Sequence, residues 1–260
     1  MRALRWTRML GHALAATAIL KFVFPRADPA RRRELVRRWS AQLVRIMGVT
    51  VRTAGPVPPA AEIGAMIAAN HVSWLDIFVI SSVRSTRFIA KSEIRDWPLA
   101  GAIAERAGTI FIRREKRRDT ARINELVHEA LLRGDCVGLF PEGTTTDGDT
   151  LLRFHSSLFE PAVANEAHVH PCAVRYENPD GTLCRRMAFV GELSFMQSLG
   201  LAIRQRGVVA RVSFAPTIET AGRHRRDVAA AAHASVASLL GLPPPGTAPS
   251  APSGPPAGAR

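Results

Sequence analysis

The sequence predicts an α/β sandwich with a mostly covered mixed sheet, preceded by a helical pair at the N-terminus. Three observations carry that expectation. Short apolar runs alternate with helical patterns from Val49 onward, as strands and helices stacked in layers do. Some runs, such as Met66–Ala69, are apolar at every position, which suits a strand buried on both faces. Hydrophobic residues make up 47% of the 260-residue chain, enough for a substantial core.

The formal charge is +13, from 35 basic and 22 acidic side chains, and it is unevenly placed. Residues 1–48 hold eleven Lys or Arg against two acids, Asp28 and Glu34. A basic extension suits nucleic acid or an anionic membrane surface. Aromatic residues are few and do not interleave with the basic ones, as stacking on bases would require, so no nucleic-acid partner is expected. The three cysteines, Cys136, Cys172 and Cys184, are odd in number, and the first two lie in apolar strand-like runs. That points to reduced thiols rather than a disulfide framework. No His or Cys group shows metal-ligand spacing, and no metal is expected. The chain also has no internal repeat, P-loop or dinucleotide fingerprint.

Residues 3–24 read as a helix with Arg2, Arg5 and Arg8 near one face and Trp6, Met9, Leu10, Leu14, Ile19 and Phe22 supplying apolar surface. Its uncharged run, Met9–Leu20, falls short of the roughly 20 residues needed to cross a bilayer. Lys21 interrupts the run and no small-residue cleavage site comes after it, so a signal peptide fits poorly. A partly inserted interfacial helix is expected. Phe24-Pro25 ends it. A second helix, Pro29–Met47, has Leu35, Trp39, Leu43 and Ile46 on one face and Arg31, Arg38 and Arg45 on another, with Trp39 as an interfacial anchor. The alternative is a hairpin resting on the domain with a solvated basic face. Residues 1–48 are thus expected to be a membrane-associating helical pair.

The globular part begins near Gly48. Expected strands are Val49–Thr53, Met66–Ala69, Arg87–Ala90, Thr109–Arg113, Cys136–Phe140, Val169–Tyr176, Arg186–Val190 and Val208–Thr217. Helical patterns occupy Trp74–Val83, Trp97–Arg106, Thr120–Arg133, Ser156–Asn165, Leu193–Gln205 and Arg223–Leu240. Residues 49–242 are expected to form one α/β domain. Residues 243–260 are Pro, Gly, Ala and Ser with hardly another residue type, a composition that cannot build a core and reads as a disordered tail.

Chemistry concentrates where strands end. The run Met66–Ala69 stops at Asn70-His71, and Trp74–Ile80 reads as the start of a helix. A five-residue step turns a helix by roughly 500°, so His71 and Asp76 do not share a helical face. They meet if His71 sits on the turn and Asp76 points back from the first helical turn. The carboxylate then accepts a proton from one imidazole nitrogen and leaves the other to act as a base. Ser73-Trp74-Leu75-Asp76 also fits a capping box, and the two roles are compatible. Gly108–Arg114 is a strand delivering Arg113 at its exit, either a bidentate phosphate ligand or a surface residue of a charged run. Phe140-Pro141-Glu142-Gly143-Thr144 is an apolar strand breaking into a turn, where Gly143 and Thr144 suit close approach to a phosphate. Glu142 is odd for a phosphate nest; it orients the loop, pairs with an Arg or accepts a ligand hydroxyl. Lys91, just after a strand, is a candidate for contact with an oxyanion or phosphate. His170, beside Pro171 near the start of a strand, reads as structural.

Together these stretches resemble, in order and spacing, the lysophosphatidate acyltransferase (1-acylglycerol-3-phosphate O-acyltransferase) family of glycerolipid acyltransferases. Asn70-His71-Val72-Ser73-Trp74-Leu75-Asp76 is similar to the family's His-four-residues-Asp motif. Gly108–Arg113 is similar to its second motif, Phe140–Thr144 to its third, and the strand around Pro171 to its fourth. The likeness covers Val49 to Thr217. It implies that His71 is the general base and Asp76 its orienting partner. It implies that Arg113, Glu142, Gly143 and Thr144 bind the acceptor's glycerol phosphate. The implied reaction moves an acyl chain from acyl-CoA or acyl-acyl carrier protein, as co-substrate, to the free hydroxyl of lysophosphatidate, giving phosphatidate. No cofactor is implied. The absence of a nucleophile elbow agrees, because the acceptor supplies the nucleophile.

The same chemistry on another lysolipid, such as lyso-ornithine lipid, fits the residues equally. A thioesterase using water as acceptor and a non-enzymatic basic membrane- or nucleic-acid-binding module are the rivals. Donor availability and the cysteines lead to the expectation of an inner (plasma) membrane location with the catalytic domain on the cytoplasmic face.

Overall fold

The structure, a computed structural model, describes residues 2–92, 95, 101, 104–105, 109–112 and 117–243. The expected helix over Trp97–Arg106 falls mostly outside these residues, as do Arg113 and the tail beyond residue 243. Seven strands build one sheet: β1 (Val49–Ala54), β2 (Met66–Ala69), β3 (Arg87–Lys91), β4 (Ile110–Ile112), β5 (Val137–Leu139), β6 (Val169–Glu177) and β7 (Val208–Phe214). Their spatial order is β1-β7-β6-β2-β5-β3-β4. β6 and β7 pair antiparallel, and every other neighbouring pair is parallel. The sheet is mixed, and its central strands are covered on both faces.

β2 shows why. Its four residues are all buried. Strand alternation sends Ile67 and Ala69 to one face and Met66 and Ala68 to the other. On the first face lie helices α2 (Pro29–Ile46), α3 (Asp76–Val83) and α6 (Phe195–Arg204), contributing Val44, Val79, Ile80, Leu199 and Ala202. On the second lie α4 (Arg117–Leu132), α5 (Glu160–Ala164) and α7 (Arg225–Leu240), contributing Ile123, Val127, Ala162, Val228 and Val236. The chain therefore leaves β2 over one face through α3 and returns to β5 from the other through α4. The carboxyl ends of β2 and β5, which are neighbours, flank the place where the connections diverge, and such crevices hold ligands in open α/β sheets.

The N-terminal pair is only partly as expected. α1 (Arg2–Ala18) runs on through a π turn, Ile19–Val23, and a 3-10 turn, Phe24–Arg26. Asp28 caps α2 by accepting from the Arg31 N–H at 2.8 Å, with Pro29 in the first turn. α2 directs Leu43, Val44 and Ile46 into the core. Trp39 stacks on His12 at 4.7 Å and meets Phe78 edge-on, so its indole faces protein. The exposed apolar surface belongs to α1, where Leu4, Leu10 and Leu14 are each more than half exposed. Arg5 pins α1 to the domain through the carbonyls of Ile203 and Gln205, each at 2.7 Å, and of Met47 at 3.3 Å. Gly48 leaves room for that guanidinium: its φ is +79°, and a Cβ there would lie 2.3 Å from Arg5 Nη2. Among the described residues, no helix is long and apolar enough to cross a membrane.

One expected strand is absent. Residues Arg186–Val190 do not join the sheet; Arg185–Met187 forms a 3-10 turn and the rest is irregular. The Phe189 backbone is spent elsewhere. Its N–H donates to the Val72 carbonyl at 2.8 Å, and its carbonyl accepts from the Thr145 hydroxyl. The segment is a strap across two loops at the carboxyl end of β2 and β5.

Candidate active site

Asn70 ends β2 and sets the direction of the turn beyond it. Fully buried, it donates from Nδ2 to the Val174 carbonyl at 3.0 Å and accepts from the Val174 N–H at 2.7 Å. The side chain thus continues the pairing with β6 where the β2 backbone turns away. His71 comes next, at the carboxyl end of the sheet, its side chain 19% exposed.

Asp76 opens α3 and points back at that turn. Its Oδ2 lies 2.9 Å from His71 Nδ1 and accepts from the N–H groups of Val72 and Ser73, each at 2.8 Å. The Ser73 bond is one half of the predicted capping box. The other half is altered, because Ser73 Oγ accepts from the Leu75 N–H at 3.4 Å rather than from Asp76. With Oδ2 accepting, Nδ1 carries the imidazole hydrogen and Nε2 presents a lone pair. Among the described residues, Nε2 makes no hydrogen bond. The other carboxylate oxygen, Oδ1, accepts from the Tyr176 hydroxyl at 2.7 Å. Burial, with the adjacent Asp76 charge, pushes the Tyr176 phenol well above its ordinary pKa, so it stays a donor. Tyr176 is the chain's single tyrosine. Sequence reasoning does not single it out, although a lone tyrosine in an apolar strand has to find a partner for its hydroxyl.

The turn after β5 closes on His71 from the other side. Glu142, 4% exposed, accepts from the His71 N–H at 2.7 Å through Oε1 and from the Leu152 N–H at 2.8 Å through Oε2. The Thr146 N–H donates to the His71 carbonyl at 2.8 Å. The Phe140 ring stacks on the imidazole, with centroids 3.8 Å apart and planes within 7°. Of the three uses open to Glu142, the structure displays loop orientation. Burial pushes its carboxyl up to about 7, against the downward pull of the Leu152 and His71 N–H bonds, and the Asp76 charge adds to the rise. Gly143 holds φ +76°, and Thr144 is exposed beside it. Arg113 lies outside the described residues, as does the Lys91 side chain; β4 ends at Ile112, in register with Lys91 of β3.

His71, Asp76 and the Glu142-Gly143-Thr144 turn therefore converge, and Asn70, Phe140, Thr146 and Tyr176 complete their support. The arrangement presents a held imidazole at the rim of a sheet, suited to taking a proton from a bound hydroxyl. His170 is elsewhere, at the opposite end of β6, with Glu62 and His168. All three cysteines are buried free thiols.

A family model described as Acyltransferase matches residues 48–175. The lyso-ornithine lipid O-acyltransferase of Pseudomonas aeruginosa is 38% identical over 234 residues, covering 89% of this chain and 88% of that protein. The 1-acyl-sn-glycerol-3-phosphate acyltransferase of Neisseria meningitidis is 36% identical over 186 residues, 72% of each chain. The crystal structure of the 1-acyl-sn-glycerophosphate acyltransferase of Thermotoga maritima shares the fold, with a TM-score of 0.58 over 92% of this chain and 98% of that one, at 17% identity. With the motif order intact on a matching fold, the chain belongs to the lysophosphatidate acyltransferase family of glycerolipid acyltransferases.

Proposed function

We propose that the protein transfers an acyl chain from an acyl thioester to the free hydroxyl of lysophosphatidate, giving phosphatidate, with His71 as general base. The observation that carries this reading is the 2.9 Å bond between His71 Nδ1 and the buried Asp76 carboxylate. Nε2 takes the proton of the acceptor hydroxyl as its oxygen attacks the thioester carbonyl. The tetrahedral intermediate then collapses, the carbon–sulfur bond breaks, and the departing thiolate takes the proton from His71. The ester and a free thiol, of coenzyme A or a carrier protein, are the products. The Asp76 carboxylate, bound to Nδ1 at 2.9 Å, holds the imidazolium in place. General-base catalysis of this kind supplies about 10²- to 10⁴-fold.

The acceptor's phosphate falls to Arg113 and to the Gly143-Thr144 turn, with Glu142 fixing the turn rather than touching the anion. The family motifs and the exposure of Thr144 support that assignment. The outer face of α1 and the π turn after it, with Leu4, Leu10, Leu14 and Phe22 exposed among basic residues, lies on an anionic membrane and delivers the lipid acceptor. The membrane is the inner (plasma) membrane, approached from the cytoplasmic face.

A second reading changes only the acceptor. The long match to the Pseudomonas aeruginosa protein favours lyso-ornithine lipid. An acceptor panel separates the two: labelled acyl thioester is offered with lysophosphatidate, lyso-ornithine lipid or no acceptor. Product with lysophosphatidate is expected. Product with lyso-ornithine lipid alone replaces the first reading by the second, and acceptor-independent hydrolysis overturns both.

A further inference from the structure

Glu62, His168 and His170 meet at the end of the sheet opposite His71. Glu62 precedes β2, and His168 and His170 lie at the head of β6, which runs parallel to β2 with Met66 in register with Val169. His168 Nδ1 is 2.7 Å from Glu62 Oε1, and His170 Nε2 is 3.0 Å from Glu62 Oε2. One ligand atom from each residue lies within 4.8 Å of the others. Glu62 Oε2 is buried and accepts no hydrogen bond in good geometry, although His170 is close.

We propose that these three side chains form a binding site for a divalent transition ion of the zinc class, remote from the acyl-transfer site.

The far side of each imidazole argues for it. His168 Nε2 is 2.9 Å from Glu219 Oε2, and His170 Nδ1 is 3.1 Å from Thr217 Oγ1. Each ring thus turns one nitrogen to Glu62 and the other to an outer oxygen, Glu219 Oε2 for His168 and Thr217 Oγ1 for His170. That is how metal-bound histidines are oriented and made more basic. Two imidazoles and one carboxylate suit zinc, cobalt or nickel rather than calcium or magnesium. Ligand atoms around tetrahedral zinc lie about 3.3 Å apart; the three here lie within 4.8 Å of one another, and the Glu62–His168 pair at 2.7 Å opens to admit an ion. His168 is 44% exposed, which leaves a solvent-facing fourth position.

Arg84 sets the limit on affinity. Buried, it donates to the carbonyls of Ala60 at 3.0 Å and Glu62 at 2.5 Å, fixing the segment that carries Glu62. Its charge opposes a second cation, while Glu62 and Glu219 supply two negative charges. A bound ion fastens the segment before β2, the head of β6 and the chain after β7. The ligands lie more than 100 residues apart in sequence, Glu62 from His168 and His170, so no local spacing announces them.

The test uses full-length, tag-free protein in detergent, stripped with a chelator and titrated with cobalt(II), with zinc as competitor. Wild type is expected to develop visible d–d absorption saturating near one equivalent, reversed by zinc, and to melt at a higher temperature with zinc. His168→Ala, at the most exposed ligand, is expected to abolish saturable binding, and Glu219→Gln to weaken it by roughly 10- to 100-fold. Circular dichroism establishes that both variants are folded. Absence of saturable absorption in wild type, or binding unchanged in folded His168→Ala, overturns the proposal and leaves a hydrogen-bonded cluster.

Discussion

Four contacts hold His71: Glu142 on its N–H, Thr146 on its carbonyl, Asp76 on Nδ1 and Phe140 against the ring face. Each fixes a different degree of freedom, and Nε2 is left to meet a substrate. Tyr176 acts one step further back, on Asp76. Tyr176→Phe leaves a buried carboxylate oxygen without its donor, at a cost of about 1–3 kcal/mol. The expected outcome is a matching loss in urea-denaturation stability and a fall in kcat with KM unchanged. Wild-type kcat in the folded variant contradicts the positioning role.

Glu142 gives the site a pH dependence. Its folded carboxyl is raised to about 7 from an ordinary value of 4.5. Between those values the folded protein holds a proton that the unfolded chain has lost. The stability this group contributes is therefore full below about 4.5 and is lost as pH rises through about 7. Glu142→Gln removes the titration. Urea denaturation from pH 4.5 to pH 7.5 should show the stability of wild type relative to the variant shrinking with rising pH. A constant difference contradicts the raised pKa. The variant also presents an amide N–H₂ to a backbone N–H, so a lower kcat accompanies it.

Among elements, β2 and the turn after it were legible because local chemistry specifies them: a strand buried on both faces, then a polar turn, then a helix. The His71–Asp76 contact came from the same five-residue step. The features the sequence did not disclose depend on distant partners. Tyr176 and Asp76 are 100 residues apart, and Glu142 is 71 from His71. The expected strand Arg186–Val190 failed for a related reason: apolar residues there fit a strand, but the backbone of Phe189 is claimed by Val72 and Thr145. For α2, the face containing Leu43 and Ile46 has the pattern of a lipid-facing surface and instead enters the core. Amphipathicity gives an apolar face, not the identity of its cover.

That leaves α1 as the element for the proposed membrane contact. Leu10 and Leu14 are each more than half exposed. Burying a leucine side chain in an apolar phase contributes about 1.5–3 kcal/mol. Replacing both with Glu is expected to weaken cosedimentation with anionic vesicles by roughly a hundredfold or more, with the far-ultraviolet circular dichroism preserved. Unchanged sedimentation places the membrane contact elsewhere.

At the scale of the whole molecule, one mixed sheet separates two kinds of function. Its β2 and β5 carboxyl ends carry His71, Asp76 and Glu142, the residues proposed for acyl transfer, while the opposite end gathers Glu62, His168 and His170. The central strands between those ends are buried on each face by a separate set of helices. The fold class was legible from alternation and composition. The acceptor was not, because the residues that hold a proton-abstracting imidazole are indifferent to which lipid supplies the hydroxyl.

The most direct test is the kcat of folded His71→Ala against wild type, with labelled acyl thioester and saturating lysophosphatidate in mixed micelles. A fall of about 10²- to 10⁴-fold is expected, with an unchanged circular-dichroism spectrum. A folded variant that retains transfer within a few-fold of wild type would contradict His71 as the general base.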